Sequence, residues 1–239
     1  MLLFPFLFPI INPILIAAAV IPAFILMRKI YRADRFEPEP AGLLVSLLFH
    51  GVMAAFLAGI VNSIGTAILS TFFPEDSILF YFCMFFVVVG PCEEGFKYLM
   101  LKRRTWNSRE FNCRFDGIVY GAFVALGYAL IENIEYVFEF GLGAALIRAV
   151  TAVPGHASFG VFMGVYYGLA RQAENQGRSA QSRSLRKAAW LVPAMLHGLY
   201  DFSATLSGGW TFGFTIFVIL LFVTANNLVK KYSAEDTYI

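Results

Sequence analysis

The sequence predicts an all-α fold, a polytopic bundle of about seven transmembrane helices forming a single integral membrane domain over residues 1–239, and three observations lead there. Hydrophobic residues make up 59% of the chain and charged residues 14%, against about 25% charged in an ordinary soluble domain. The apolar residues fall into runs as long as the roughly 20 residues that a helix needs to cross the hydrocarbon core. Of the 18 lysines and arginines, all but Lys97 and Arg148 fall in loops or tails that an alternating seven-span chain places on one face. By the positive-inside rule that face is cytoplasmic, which puts the N-terminus out and the C-terminus in. A formal charge of +2 distributed this way argues topology and not nucleic-acid binding.

The spans follow in order. The run 4–27 has no basic leader and is followed by Arg28, Lys29, Arg32 and Arg35, so it is expected to stay as a helix, made irregular by Pro5, Pro9, Pro13 and Pro22. The second span, 42–73, is long enough to tilt or break and stops at Pro74. The third begins at Ile78 and is followed by Lys102, Arg103 and Arg104; running it on to Trp106 gives it an interfacial anchor. The fourth and fifth, 117–138 and 142–170, carry small residues every four positions, Gly117, Gly121 and Ala125 on one and Gly160, Gly164 and Gly168 on the other. Such stripes let membrane helices approach closely. A basic loop then leads to the sixth span, 188–206, and the seventh, 210–229. Cys83, Cys92 and Cys113 have no metal or disulfide spacing and read as packing residues.

Charged side chains inside these spans are the exception to explain, since each costs roughly 2.5–3.5 kcal/mol at the bilayer centre. Glu93, Glu94 and Lys97 stand on the third span, Glu132, Asn133 and Glu135 on the fourth, Arg148 and His156 on the fifth, His197 and Asp201 on the sixth. At 1.5 Å per residue, Glu132, His156 and Asp201 lie roughly 20 Å from the basic face and His197 about 13 Å, and the extension to Trp106 brings Glu94 to roughly 18 Å. The i, i+4 spacing pairs Lys97 with Glu93, leaving Glu94 free for chemistry, though the two roles are interchangeable. Arg148 is expected to pair with Glu135, and His50 on the second span reads as a packing histidine. Pro91, Pro154 and Pro193 precede the polar groups and are expected to kink their helices, freeing the carbonyls of Val87, Val150 and Ala189.

Carboxylates and imidazoles converging from four helices are groups for activating water, with a glutamate as base and a histidine donating to an oxyanion or leaving amine. The same set, Glu94, Glu132, His156, His197 and Asp201, suits a divalent metal such as zinc with one position left for water, so metal-free and metal-dependent readings both stand. A proton- or metal-ion-coupled transporter would also place acids within spans. There is no His-Glu-x-x-His motif, no paired-aspartate signature, and Ser207 lacks the context of a rhomboid serine.

Three segments in order carry a family resemblance. Glu93-Glu94-Gly95-Phe96-Lys97 matches Glu-Glu-x-x-Lys, Tyr128 to Glu132 matches Phe-x-x-x-Glu with tyrosine for phenylalanine, and His197 to Asp201 matches His-x-x-x-Asp. Together they resemble the PrsW-type intramembrane peptidases, relatives of the CAAX prenyl endopeptidase and bacteriocin-immunity group. The resemblance implies an endopeptidase of a bacterial- or archaeal-type plasma membrane that cuts membrane-anchored proteins, anti-sigma factors among them. Glu93, Glu94, Glu132, His156, His197 and Asp201 would form the site, with Lys97 and Asn133 in support.

Overall fold

The computed structural model describes residues 13–206 and 208–239. Residues 4–12 of the first expected span, with Pro5 and Pro9, and the position of Ser207 lie outside them. The described residues form helices joined by short connections: α1 (Pro13–Ala33), α2 (Ala41–Leu69), α3 (Ile78–Cys83), a π-helical segment (Met84–Val89), α4 (Gly90–Thr105), α5 (Asp116–Val150), α6 (Ala152–Asn175), α7 (Ser179–Thr205) and α8 (Trp210–Ala234). The only β pairing among them is an isolated bridge between Cys113 and Tyr238.

The centre of the bundle is the first half of α5. Every residue from Asp116 to Ala129 is buried, as expected of a helix that is apolar all round. α6, α2 and α1 pack against it, α7 packs on α6, and α4 is held between α2 and α7. The small-residue stripes meet as expected. A Cβ added to Gly164 would lie 2.3 Å from the Gly117 carbonyl oxygen, and one added to Gly121 would lie 2.4 Å from that of Gly160. Backbone contact of this kind admits no side chain. Gly164→Leu is therefore expected to destabilise the detergent-solubilised protein by about 3 kcal/mol, whereas Gly213→Leu, whose new Cβ meets nothing within 4 Å, should change the unfolding midpoint little.

Several helix boundaries differ from expectation, each for a physical reason. The second span does not break, and α1 and α7 run through basic residues assigned to loops, because lysine and arginine are good helix formers. There is no loop between the fourth and fifth spans at 139–141. The chain turns at Gly141, whose φ of 77° only glycine adopts freely, continues as helix to Val150, and breaks again at Thr151. Arg148 thus belongs to the last turns of α5. Pro154 falls in the first turn of α6, where its missing N–H costs no hydrogen bond, so it starts a helix instead of kinking one. Before Pro91 the ladder slips by one residue, with the Gly90 N–H bonded to the Phe85 carbonyl, and the π-helical segment absorbs the missing donor. Pro193 does lie inside its helix.

Among the described residues, five stretches are long and apolar enough to cross a membrane, the longest being 116–175, which contains both turns. α7 is not among them, because Pro193, His197, Tyr200 and Asp201 dilute its apolar residues. The chain is a multi-pass helical membrane protein.

Candidate active site

Lys97 organises the buried polar residues. It is fully buried on α4, and its ammonium donates to Glu94 Oε1 at 2.6 Å and to His156 Nδ1 at 3.1 Å. Its Nζ also sits 4.0 Å from the centre of the Tyr128 ring, a cation–π contact. Glu93 Oε2 is farther off, at 3.8 Å. The lysine's closer partner is therefore Glu94, the reverse of the first-choice pairing from i, i+4 spacing. Both spacings put the acid on the lysine's face; what favours Glu94 is that His197 Nδ1 also donates to its Oε1, at 2.9 Å.

From Lys97 a chain of hydrogen bonds leads along α6 and α5. Because His156 Nδ1 accepts from the ammonium, its proton is on Nε2, which donates to Glu132 Oε2 at 2.6 Å. The same oxygen accepts from Arg148 Nη2 at 2.9 Å. Arg148 Nε donates to Asn133 Oδ1 at 2.9 Å, and the Asn133 amide donates to the Ala19 carbonyl on α1 at 2.6 Å. The arginine also covers the Tyr136 ring, with Cζ 3.9 Å from its centre. Arg148 thus pairs with Glu132 and not with Glu135, because the turn at Gly141 folds the end of α5 back past Glu132.

The second branch runs through α7. His197 stacks on Phe159, with ring centres 4.8 Å apart, and its Nε2 stands 3.5 Å from Asp201 Oδ2 and 3.8 Å from Glu93 Oε2. Glu93 Oε1 accepts from the Asn62 amide of α2 at 3.1 Å, while its Oε2 has no hydrogen-bond partner. The structure thus brings Glu93, Glu94, Lys97, Glu132, Asn133, His156, His197 and Asp201 into one connected cluster. Asn62 was missed in the sequence, where a lone amide inside an apolar helix is its only signal. His50 is elsewhere, bonded through Nδ1 to the Ser46 carbonyl at 2.7 Å, which fits a packing role.

Burial within the cluster is graded. The side chains of Lys97 and Glu94 are 0% exposed, whereas those of Glu132 and Asp201 are 24% and 23% exposed, so the cluster opens on the side of those two carboxylates. The donor atoms of Glu94, His156 and His197 lie within 4.8 Å of one another, and Glu94 Oε2 has no partner. Two imidazoles and a carboxylate are a donor set that zinc accepts, so these residues fit a metal. Lys97 competes for it, since it already engages Glu94 and His156.

A membrane bundle enclosing such a cluster is the arrangement of an intramembrane hydrolase, and comparison with known proteins makes the class specific. A family model described as PrsW family intramembrane metalloprotease matches residues 39–225. Protease PrsW of Oceanobacillus iheyensis is 33% identical over 94% of this chain and 98% of its own length. That of Bacillus subtilis is 31% identical over 91% and 94%, and that of Clostridioides difficile 33% over 90% and 89%. No solved structure matches. The chain belongs to the PrsW family of intramembrane proteases and is a membrane-embedded peptidase.

Proposed function

We propose that this protein is an endopeptidase that hydrolyses peptide bonds of membrane-anchored proteins, anti-sigma-factor-like ones among them, with water activated by Glu93. It would reside in a bacterial- or archaeal-type plasma membrane, crossing it seven times with the N-terminus outside. The observation that carries the reading is the unequal engagement of the two adjacent glutamates: Lys97 and His197 both bond Glu94 Oε1, whereas Glu93 Oε1 accepts from the neutral Asn62 amide and its Oε2 stands 3.8 Å from both Lys97 Nζ and His197 Nε2.

In this reading Glu93 Oε2 takes the proton of a water molecule that attacks the peptide carbonyl. His197 acts as an imidazolium: with Nδ1–H on Glu94, its Nε2–H, facing both Glu93 and Asp201, bonds the oxyanion and then passes its proton to the leaving amine, and the proton held by Glu93 restores it. Asp201 orients that imidazole, and the Glu94–Lys97 pair fixes its other nitrogen. Glu132, His156, Arg148 and Asn133 position Lys97 from the opposite side. The exposed flank at Glu132 and Asp201 admits the unwound substrate segment.

A second reading rests on the clustered donor atoms of Glu94, His156 and His197. If a zinc ion binds there, it polarises the carbonyl and acidifies water; Glu93 remains the base in either case. Cleavage of a membrane-anchored reporter by the purified protein, before and after chelation, separates the two. Undiminished cleavage after chelation is expected. Loss that zinc restores, together with one zinc per chain that disappears in His156→Ala, would replace the metal-free reading with the second.

A further inference from the structure

We propose that the opposite end of the bundle holds a structural zinc site formed by Cys113, Asp116 and Asp236, with Glu37 as the fourth donor. Asp116 begins α5, so it is separated from Glu132 by sixteen residues, about 24 Å of helix. The candidate active site uses none of these groups.

Three separate segments meet at this end. The C-terminal tail lies along the loop before α5: the Arg114 N–H donates to the Thr237 carbonyl at 3.2 Å and the Ile239 N–H to that of Asn112 at 2.8 Å. The α1–α2 connection brings Glu37 Oε2 to 3.7 Å from Cys113 Sγ. Within this frame, one donor atom each from Cys113, Asp116 and Asp236 lies within 4.8 Å of the other two.

Two features go beyond a mere gathering of acids. The first is orientation. Asp116 Oδ2 accepts two backbone N–H bonds, from Asn112 at 3.0 Å and Cys113 at 2.7 Å, while Oδ1, on a side chain 1% exposed, has no partner. Asp236 repeats the arrangement, with Oδ1 accepting from the Phe115 and Thr237 N–H groups, both at 2.9 Å, and Oδ2 without a partner. Each carboxylate is fixed through one oxygen while the other is free of hydrogen bonds, and a carboxylate held in this way is preorganised as metal ligands need.

The second feature is scarce positive charge. Among the described residues, no lysine, arginine or histidine forms an ion pair with Asp34, Glu37, Glu39, Asp116 or Asp236; Arg114, whose charge reaches Asp236, pairs instead with Glu235 at 3.9 Å. Buried carboxylates are normally paired or coordinate metals. Asp34 and Glu39 flank the site in the α1–α2 connection, and each leaves a buried oxygen unpartnered. Both lie close enough to other carboxylates of this end, Glu37 among them, for like charges to repel. A divalent cation would remove this repulsion. The thiol selects which one, since magnesium and calcium take oxygen donors whereas zinc takes sulfur and carboxylate together.

Zinc so placed would fasten the tail, the loop before α5 and the α1–α2 connection together. The test is equilibrium dialysis of the full chain against zinc, with metal counted per chain. One zinc is expected to persist in the His156→Ala/His197→Ala variant. It should bind more weakly by more than about 100-fold in Cys113→Ser and in Asp236→Asn, since loss of even an outer-shell partner commonly costs 10- to 100-fold. With Cys83 and Cys92 changed to alanine, the cobalt-loaded chain should show a thiolate charge-transfer band that Cys113→Ser removes. If Cys113→Ser does not fold, Asp236→Asn, close to the C-terminus, carries the comparison. Zinc binding that ignores both substitutions, loss of the only zinc in the double histidine variant, or a cobalt complex without the thiolate band would each overturn the site.

Discussion

Glu93→Gln is expected to lower cleavage of a membrane-anchored reporter by about 10²–10⁴-fold, the range of a lost general base, while the purified protein keeps its unfolding midpoint. The substitution removes the unpartnered oxygen's ability to take a proton, but leaves the Lys97–Glu94 and His197–Glu94 contacts intact. The amide also retains an oxygen to accept from Asn62. Glu94→Gln should lose activity too, but with a large loss of stability, because it leaves the Lys97 ammonium buried without its nearest carboxylate. Cleavage and thermal unfolding measured on both variants separate the roles. A fully active Glu93→Gln protein would overturn the assignment of the base.

The second expectation concerns the ion pair as a unit. Lys97→Met and Glu94→Gln alone should each cost about 3–5 kcal/mol of stability, because each strands one buried charge. The double substitution should recover most of that loss, since replacing a buried pair with neutral groups is often neutral or stabilising. Activity should not return with it, because His156 Nδ1 has lost the ammonium that set its tautomer and His197 Nδ1 now faces a neutral amide oxygen in place of a carboxylate. Denaturation of the four proteins in detergent gives the cycle. Additive stabilities would mean that the 2.6 Å contact carries no coupling.

Much of this arrangement was legible from the sequence because membrane interiors make polar residues conspicuous. The eight residues expected to form or support the site meet in one cluster, and the glycine stripes of α5 and α6 meet as their spacing implies. The choice of glutamate for Lys97 was not legible, since Glu93 and Glu94 both lie within reach of its helix face and the decision rests with His197 from another helix. Nor was Arg148's partner: a single glycine inside an apolar run does not announce that the chain folds back there. The carboxylates around Cys113 escaped because they lie on three segments, with Glu37, Asp116 and Asp236 79 and 120 residues apart, where spacing along the chain carries no information.

α7 is too polar to stand among the stretches apolar enough to cross a membrane unaided, and that bears on how the protein is made. Two of the residues that dilute it belong to the candidate site: His197, which contacts Glu93 and Glu94, and Asp201, which contacts His197. Insertion from the ribosome alone would place an aspartate in lipid at roughly 2.5–3.5 kcal/mol. α4 and α6 precede it in synthesis and already present Lys97, Glu94 and Phe159 as partners. The site thus serves as a receptor for its own last wall, and substitutions that empty it are expected to reduce the amount of protein that reaches the membrane as well as its rate of turnover.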